Sequence, residues 1–230
     1  MDSLPQELIN AIIDNVPVSG LRSSSLVARR WRRRSQQRTF NCIVIESEYE
    51  AHLWCKNVSQ ESDATSSLVH FAHFIDIPQW NEPTLFGRVL KGLASLTALW
   101  VFDTGIPDEL QDCISCGELG KEITTLGFLF PLCTHATMMS LVLSLPSLKR
   151  LVVQGNGLTS GESLPVHPVT SRGGPLDRLL LRGDVNGVGE TLVKSRFMSR
   201  RLIFDLSIPC AEQLIALSAK TMVELQLYGV

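Results

Sequence analysis

Residues 148–156 read Leu148-Lys149-Arg150-Leu151-Val152-Val153-Gln154-Gly155-Asn156. Apolar residues at 148, 151 and 153 precede an asparagine, and in an extended chain Leu151 and Val153 share one face. Working outward, the same pattern returns upstream as Ile123-x-x-Leu126-x-Phe128, Leu96-x-x-Leu99-x-Val101 and Ala72-x-x-Ile75-x-Ile77. Downstream it returns as Leu176-x-x-Leu179-x-Leu181, Leu202-x-Phe204 and Met222-x-x-Leu225-x-Leu227. The central residue falls at 75, 99, 126, 151, 179, 202 and 225, in steps of 24, 27, 25, 28, 23 and 23 residues. A period of this size fits one short strand and one helical return per turn.

The stretches between the strands carry helical spacing. Leu85, Val89, Leu90 and Leu93 share a face, as do Met138, Leu141, Val142 and Leu145. Leu110, Cys113 and Ile114 follow Asp108 and Glu109, which suit a helix start, and Leu214, Ile215 and Leu217 form a fourth set. Gly155, Gly157, Gly161, Gly173 and Gly174 mark a long loop after the fourth strand. One unit of this size closes no core, so each must stack on its neighbours. Residues 41–230 therefore read as a solenoid of about seven irregular repeats, and the pattern resembles a divergent leucine-rich repeat in which only Asn156 supplies the usual asparagine. The alternative is an ordinary α/β domain with a parallel sheet.

Ahead of the repeats, residues 4–40 read LPQELINAIIDNVPVSGLRSSSLVARRWRRRSQQRTF. Ser3 or Leu4 is placed to cap a helix whose first position is Pro5. Leu8, Ile9, Ile12, Ile13 and Val16 make a wide apolar stripe, and Pro17 and Gly20 end it. Leu21, Leu26, Val27 and Trp31 follow, leading into a run with five arginines among the seven residues 28–34 and Arg38 beyond. Val27 and Trp31 are left for the core while the arginines form a solvated face. Some forty residues bury too little to hold this apolar surface alone.

This stretch resembles an F-box. The resemblance rests on Leu4, Pro5, Glu7, Leu8 and Ile12, then Ser25, Leu26, Val27, Arg30 and Trp31, and it is nearest to F-box proteins of mushroom-forming fungi with leucine-rich-repeat C-terminal regions. Ala28 stands where that family often has Cys. The resemblance implies an N-terminal three-helix F-box over residues 1–40. It also implies binding to the Skp adaptor, and through it a cullin, by Leu4, Pro5, Leu8, Ile12, Val27 and Trp31. The repeats would then hold an unknown protein target for ubiquitin transfer by other subunits. The alternatives are a repeat scaffold without a ligase role and a basic-helix nucleic-acid binder.

Composition bounds the function. A net charge of -2 makes no global case for nucleic acid or anionic lipid. Six cysteines without a secretory signal imply reduced thiols in the cytosol or nucleus. Residues 123–147 hold no Asp, Glu, Lys or Arg, yet Pro131 and His135 interrupt them, and they read as strand, loop and helix rather than a membrane span. Cys113 and Cys116 have metal or redox spacing but no second pair. His70 and His73, three apart beside a strand, face opposite sides. The glycines from Gly183 to Gly189 lack the Lys of a phosphate loop. No catalytic residue, metal or cofactor is expected.

In a solenoid the residues between the inward ones face the concave surface. One position after the central residue gives Trp100, Val152, Leu180 and Ile203; three after gives Phe102, Leu129, Gln154, Arg182, Asp205 and Tyr228. Trp100, Phe102, Arg182 and Tyr228 are the expected target-binding residues, because aromatics and arginines make good anchors. The last repeat shows a strand without a helical return, so an open C-terminal edge is also expected.

Overall fold

The computed structural model describes residues 4–60, 66–75, 82–93, 95–103, 114, 120–131, 133–155, 174–205 and 208–228. It is an α/β chain whose strands form one open, all-parallel sheet of eight strands in the sequential order β1 to β8. These are β1 (Cys42–Ile45), β2 (Phe71–Ile75), β3 (Ala98–Phe102), β4 (Thr125–Leu129), β5 (Arg150–Gly155), β6 (Arg178–Gly183), β7 (Arg201–Asp205) and β8 (Glu224–Tyr228). Every strand lies beside its neighbour in sequence, without the reversal of strand order that marks a doubly wound sheet. The arrangement is solenoid-like.

The register corrects one repeat. Ala72, not Ile75, pairs with Leu99, and Phe74 pairs with Val101. The copy is Val69-x-x-Ala72-x-Phe74, all three buried, and Ile77 lies outside the described residues. Upstream, Ile43 pairs with Ala72 and Ile45 with Phe74, so Cys42–Ile45 supplies an eighth strand. Leu99, Leu126, Leu151, Leu179, Leu202 and Leu225 occupy one row across six strands. The ladder extends beyond the strands: Thr97 and Ala98 N–H donate to His70 O, and Thr124 and Thr125 N–H to Thr97 O.

Helices cover one side of this sheet. After α1 (Gln6–Asp14), α2 (Val18–Val27) and α3 (Arg29–Phe40) come α4 (Glu48–Gln60) and α5 (Pro83–Lys91). Then follow α6 (His135–Leu143), α7 (Asn186–Lys194) and α8 (Ala211–Ser218). Leu85, Val89 and Leu90 of α5, Met138, Leu141 and Val142 of α6, and Leu214 of α8 join the buried row of the sheet in one core. Thr134 caps α6 by accepting from Thr137 N–H at 3.1 Å, the arrangement favoured for a hydroxyl there. Asp108, Glu109, Leu110, Cys113, Cys116 and Asn156 lie outside the described residues; Ile114 is buried.

The N-terminal helices form a second, smaller core of Ile9, Ile13 and Leu21, with Leu4, Val16 and Trp31 packed against it. The helix α1 starts later than its sequence suggests: Pro5 is the cap residue, and no side chain caps the end. Gly20 does not end a helix but lies within α2, where a Cβ would meet Val16 Cγ1 at 2.9 Å. Its lack of a side chain lets α2 pass close to the end of α1. Ala28 is fully extended (φ -159°, ψ 158°), so one residue separates α2 from α3. Val27, expected in the core, is 53% exposed, because that break leaves it on the outer side.

The arginines of α3 hold α1. Arg34 grips Asp14 with Nε and Nη2 at 2.7 and 2.8 Å. Arg38 donates to Val16 O at 2.7 Å and to Ile13 O, satisfying carbonyls at the end of α1. Arg30 Nε reaches Gln6 Oε1 at 3.4 Å. Positions 30, 34 and 38 repeat at four residues and share one side of the helix.

Candidate functional site

Two surfaces offer side chains that the fold does not consume. The first is on the N-terminal helices. The apolar stripe of α1 is wider than its core requires: Ile9 and Ile13 are 1% and 0% exposed, while Leu8 and Ile12 are 52% and 43% exposed. Leu26, Val27 and Val18 of α2 are exposed as well. Of the six residues assigned to the adaptor, Pro5, Leu8, Ile12 and Val27 therefore face solvent, and Leu4 and Trp31 pack inward.

The second surface is the face of the sheet away from the helices. On β3, Leu99 and Val101 are buried while Trp100 and Phe102 are half-buried on the other side. Correcting the register of β2 puts His73 opposite Trp100. The His73 ring stacks on Phe102 at 5.6 Å between centroids and lies 6.1 Å from Trp100. Trp100 and Phe102 stack at 6.2 Å. Burial against these rings holds the His73 imidazole below its ordinary pKa. On β4 the facing position is Gly127, and a Cβ there would lie 2.1 Å from Trp100 Cε3. The missing side chain is the seat of the indole.

Arg182 and Tyr228 stand at the other end of the same face. They flank Asp205 across β6, β7 and β8 in one register row. The Arg182 guanidinium lies 4.7 Å from the Tyr228 ring centroid, and its Nε is 3.9 Å from Asp205 Oδ1. Asp205 Oδ2 also accepts from Gly183 N–H at 2.9 Å, which fixes the carboxylate. So the four residues assigned to the target form two separate groups, Trp100 with Phe102 and Arg182 with Tyr228. His73, Gly127 and Asp205 complete them. A further row was not singled out by spacing: Arg150 pairs with Arg178, and Arg201 follows one strand on.

Gly183 ends β6 at φ +75°, and residues 183–185 turn the chain into α7, whose first turn holds Gly187 and Gly189. His70 Nδ1 lies 3.1 Å from Ser95 O, away from the aromatic group. An open polar cleft of about 730 Å³ lies beside α3, lined by Asp14, Arg34, Gln37, Asn41 and His70, but Asp14 and Arg34 already pair across it. Among the described residues, no group of three or more His, Cys, Asp or Glu side chains is placed to hold a metal ion. None of the described helices is long and apolar enough to cross a membrane. No family model matches the chain, and no curated protein is significantly similar to it.

Proposed function

We propose that this protein is a substrate-recognition adaptor of a Skp–cullin–F-box ubiquitin ligase, with residues 1–40 as its F-box and the repeat sheet as its target surface. The observation that carries this reading is the split stripe of α1. Ile9 and Ile13 fill the small core, and Leu8 and Ile12 lie outside it, half-exposed. Covering two such half-exposed side chains in a partner groove is worth roughly 1 kcal/mol each. Leu8, Ile12 and Val27 coincide with anchors that the F-box resemblance assigns to the Skp adaptor, the helix-in-groove mode of recognition.

The nucleic-acid alternative is weakened by the use of Arg34 and Arg38, which are engaged with α1. The leucine-rich-repeat resemblance supports protein recognition by the sheet. The test is co-elution of the full chain with a Skp adaptor on a sizing column. A stable complex is expected, and Leu8→Asp or Ile12→Asp should each abolish it. Separate elution of the wild-type chain at micromolar concentrations would reject the adaptor reading.

A further inference from the structure

We propose that Arg150, Arg178 and Arg201 select a target segment that is acidic through Asp or Glu side chains, is extended, and carries an apolar or aromatic residue at one end. This rests on the sheet being the target surface, but not on the adaptor. The three arginines occupy one row of adjacent strands, on the face shared with Trp100 and Arg182, and all are exposed. Arg201 has Glu224 at 3.4 Å. Among the described residues, Arg150 and Arg178 have no ion-pair partner.

That row opposes folding. Neighbouring strands lie about 4.8 Å apart, and like charges directly opposite one another destabilise a sheet. A solvated face would alternate its signs. The chain as a whole carries a net charge of -2, so this positive row is local and against the overall balance. Glu224 meets Arg201 at one end of the row, and an anionic partner is the complement that Arg150 and Arg178 lack. Arginine forks take carboxylates in pairs of parallel hydrogen bonds. Three stems held side by side suit charges spread along a segment, rather than several donors converging on a single phosphate.

The aromatic group fixes the direction. Trp100 is on β3, and the arginines are on β5, β6 and β7. At the strand spacing, β5 is about 10 Å and β7 about 19 Å from β3. An extended segment running across the strands advances about 3.3 Å per residue, so its acids belong about three to six residues from its apolar anchor.

The test is selection of random, unphosphorylated twelve-residue peptides on the full chain, followed by affinity measurement for the enriched sequences. Enrichment of peptides with two or more acids, three to six residues from an aromatic or large apolar residue, is expected. Their affinity should fall at least about tenfold with Arg178→Glu and weaken with salt, as charge pairing at an accessible surface does. The same variant should melt at the same or a higher temperature, since Glu at 178 stands between Arg150 and Arg201. A lower melting temperature overturns the inference, as does undiminished binding by Arg178→Glu. Neutral peptides bound in a manner sensitive to Trp100→Ala would overturn it while leaving the sheet as target surface. Failure to recover any Trp100-dependent peptide would count against both.

Discussion

Trp100 lies over Gly127 of the neighbouring strand so closely that a Cβ on Gly127 would stand 2.1, 2.4 and 2.6 Å from three atoms of the indole. Glycine in a strand interior ordinarily weakens it, and alanine would be favoured by roughly 0.5–1 kcal/mol. Here the clash outweighs that gain, because overpacking costs about 1–3 kcal/mol or forces the ring to move. Gly127→Ala is expected to displace the indole from Phe102 and His73. Near-ultraviolet circular dichroism, with Trp100→Phe as the reference for loss of the indole signal, reports the displacement. An unchanged spectrum in a more stable variant would show that the seat is not needed.

Consecutive residues of α1 should respond oppositely to the same change. Leu8→Asp and Ile12→Asp alter exposed positions, where stability changes usually stay within about 0.5 kcal/mol. Ile9→Asp and Ile13→Asp place an unpaired charge in the small core, at a cost of several kcal/mol. The first pair is expected to keep the helical signal and lose the Skp adaptor. The second pair is expected to lose the helical content of residues 6–40 as well. Equal melting curves for Leu8→Asp and Ile13→Asp would contradict the split of the stripe.

The repeat period was legible because strand burial imposes a fixed spacing of apolar residues, and six of the eight strands, β3 to β8, declared it in register. The slip at β2 has a physical cause: Ala72 at the central position is small, while Ile75 and Ile77 imitate the same pattern three residues on. That slip hid His73, which belongs in the row of Trp100 only once Ala72 is placed beside Leu99. The expected anchors Trp100, Phe102, Arg182 and Tyr228 were identifiable by spacing, but their partners Gly127 and Asp205 come from neighbouring strands and only register joins them. In the basic run, composition suggested a solvated face. Which arginines reach α1 depends on a crossing of helices that a single sequence does not encode locally. Among the described residues β8 pairs with β7, and its Leu225 and Leu227 are 39% and 44% exposed.

The tether between α1 and α3 should be sensitive to acid. The Arg34 hydrogen bonds to Asp14 hold its carboxyl below the ordinary carboxylate range, against a smaller opposing effect of desolvation. A group depressed in the folded state stabilises fully above its unfolded pKa of about 3.9. That contribution is lost as pH falls through the lower folded value. Melting temperatures measured from pH 6 downward should therefore fall less steeply for Asp14→Asn than for the wild type, the two curves converging once the pH lies below the folded value. Parallel curves would mean that the pair contributes nothing to stability.

Gly189 and Cys210 should couple in a double-mutant cycle. Gly189 lies within α7, and a Cβ there would be 2.2 Å from Cys210 Sγ but 3.6 Å from Ile208 Cγ2 and 3.9 Å from Cys210 Cβ. The sulfur is therefore the only close obstacle among these atoms. Alanine is better than glycine inside a helix by about 1 kcal/mol, but overpacking costs about 1–3 kcal/mol. With Cys210 present, Gly189→Ala is expected to be neutral to destabilising, because buried Cys210 has little room to yield. In the Cys210→Ala background only ordinary contacts remain, and the same substitution should stabilise by about 1 kcal/mol. The sign of the effect thus reverses with the background, giving a coupling of about 1 kcal/mol or more measured by denaturant unfolding. Additive effects would show that α7 shifts enough to clear the sulfur, and that the small residue at 189 is not what sets its distance from Cys210.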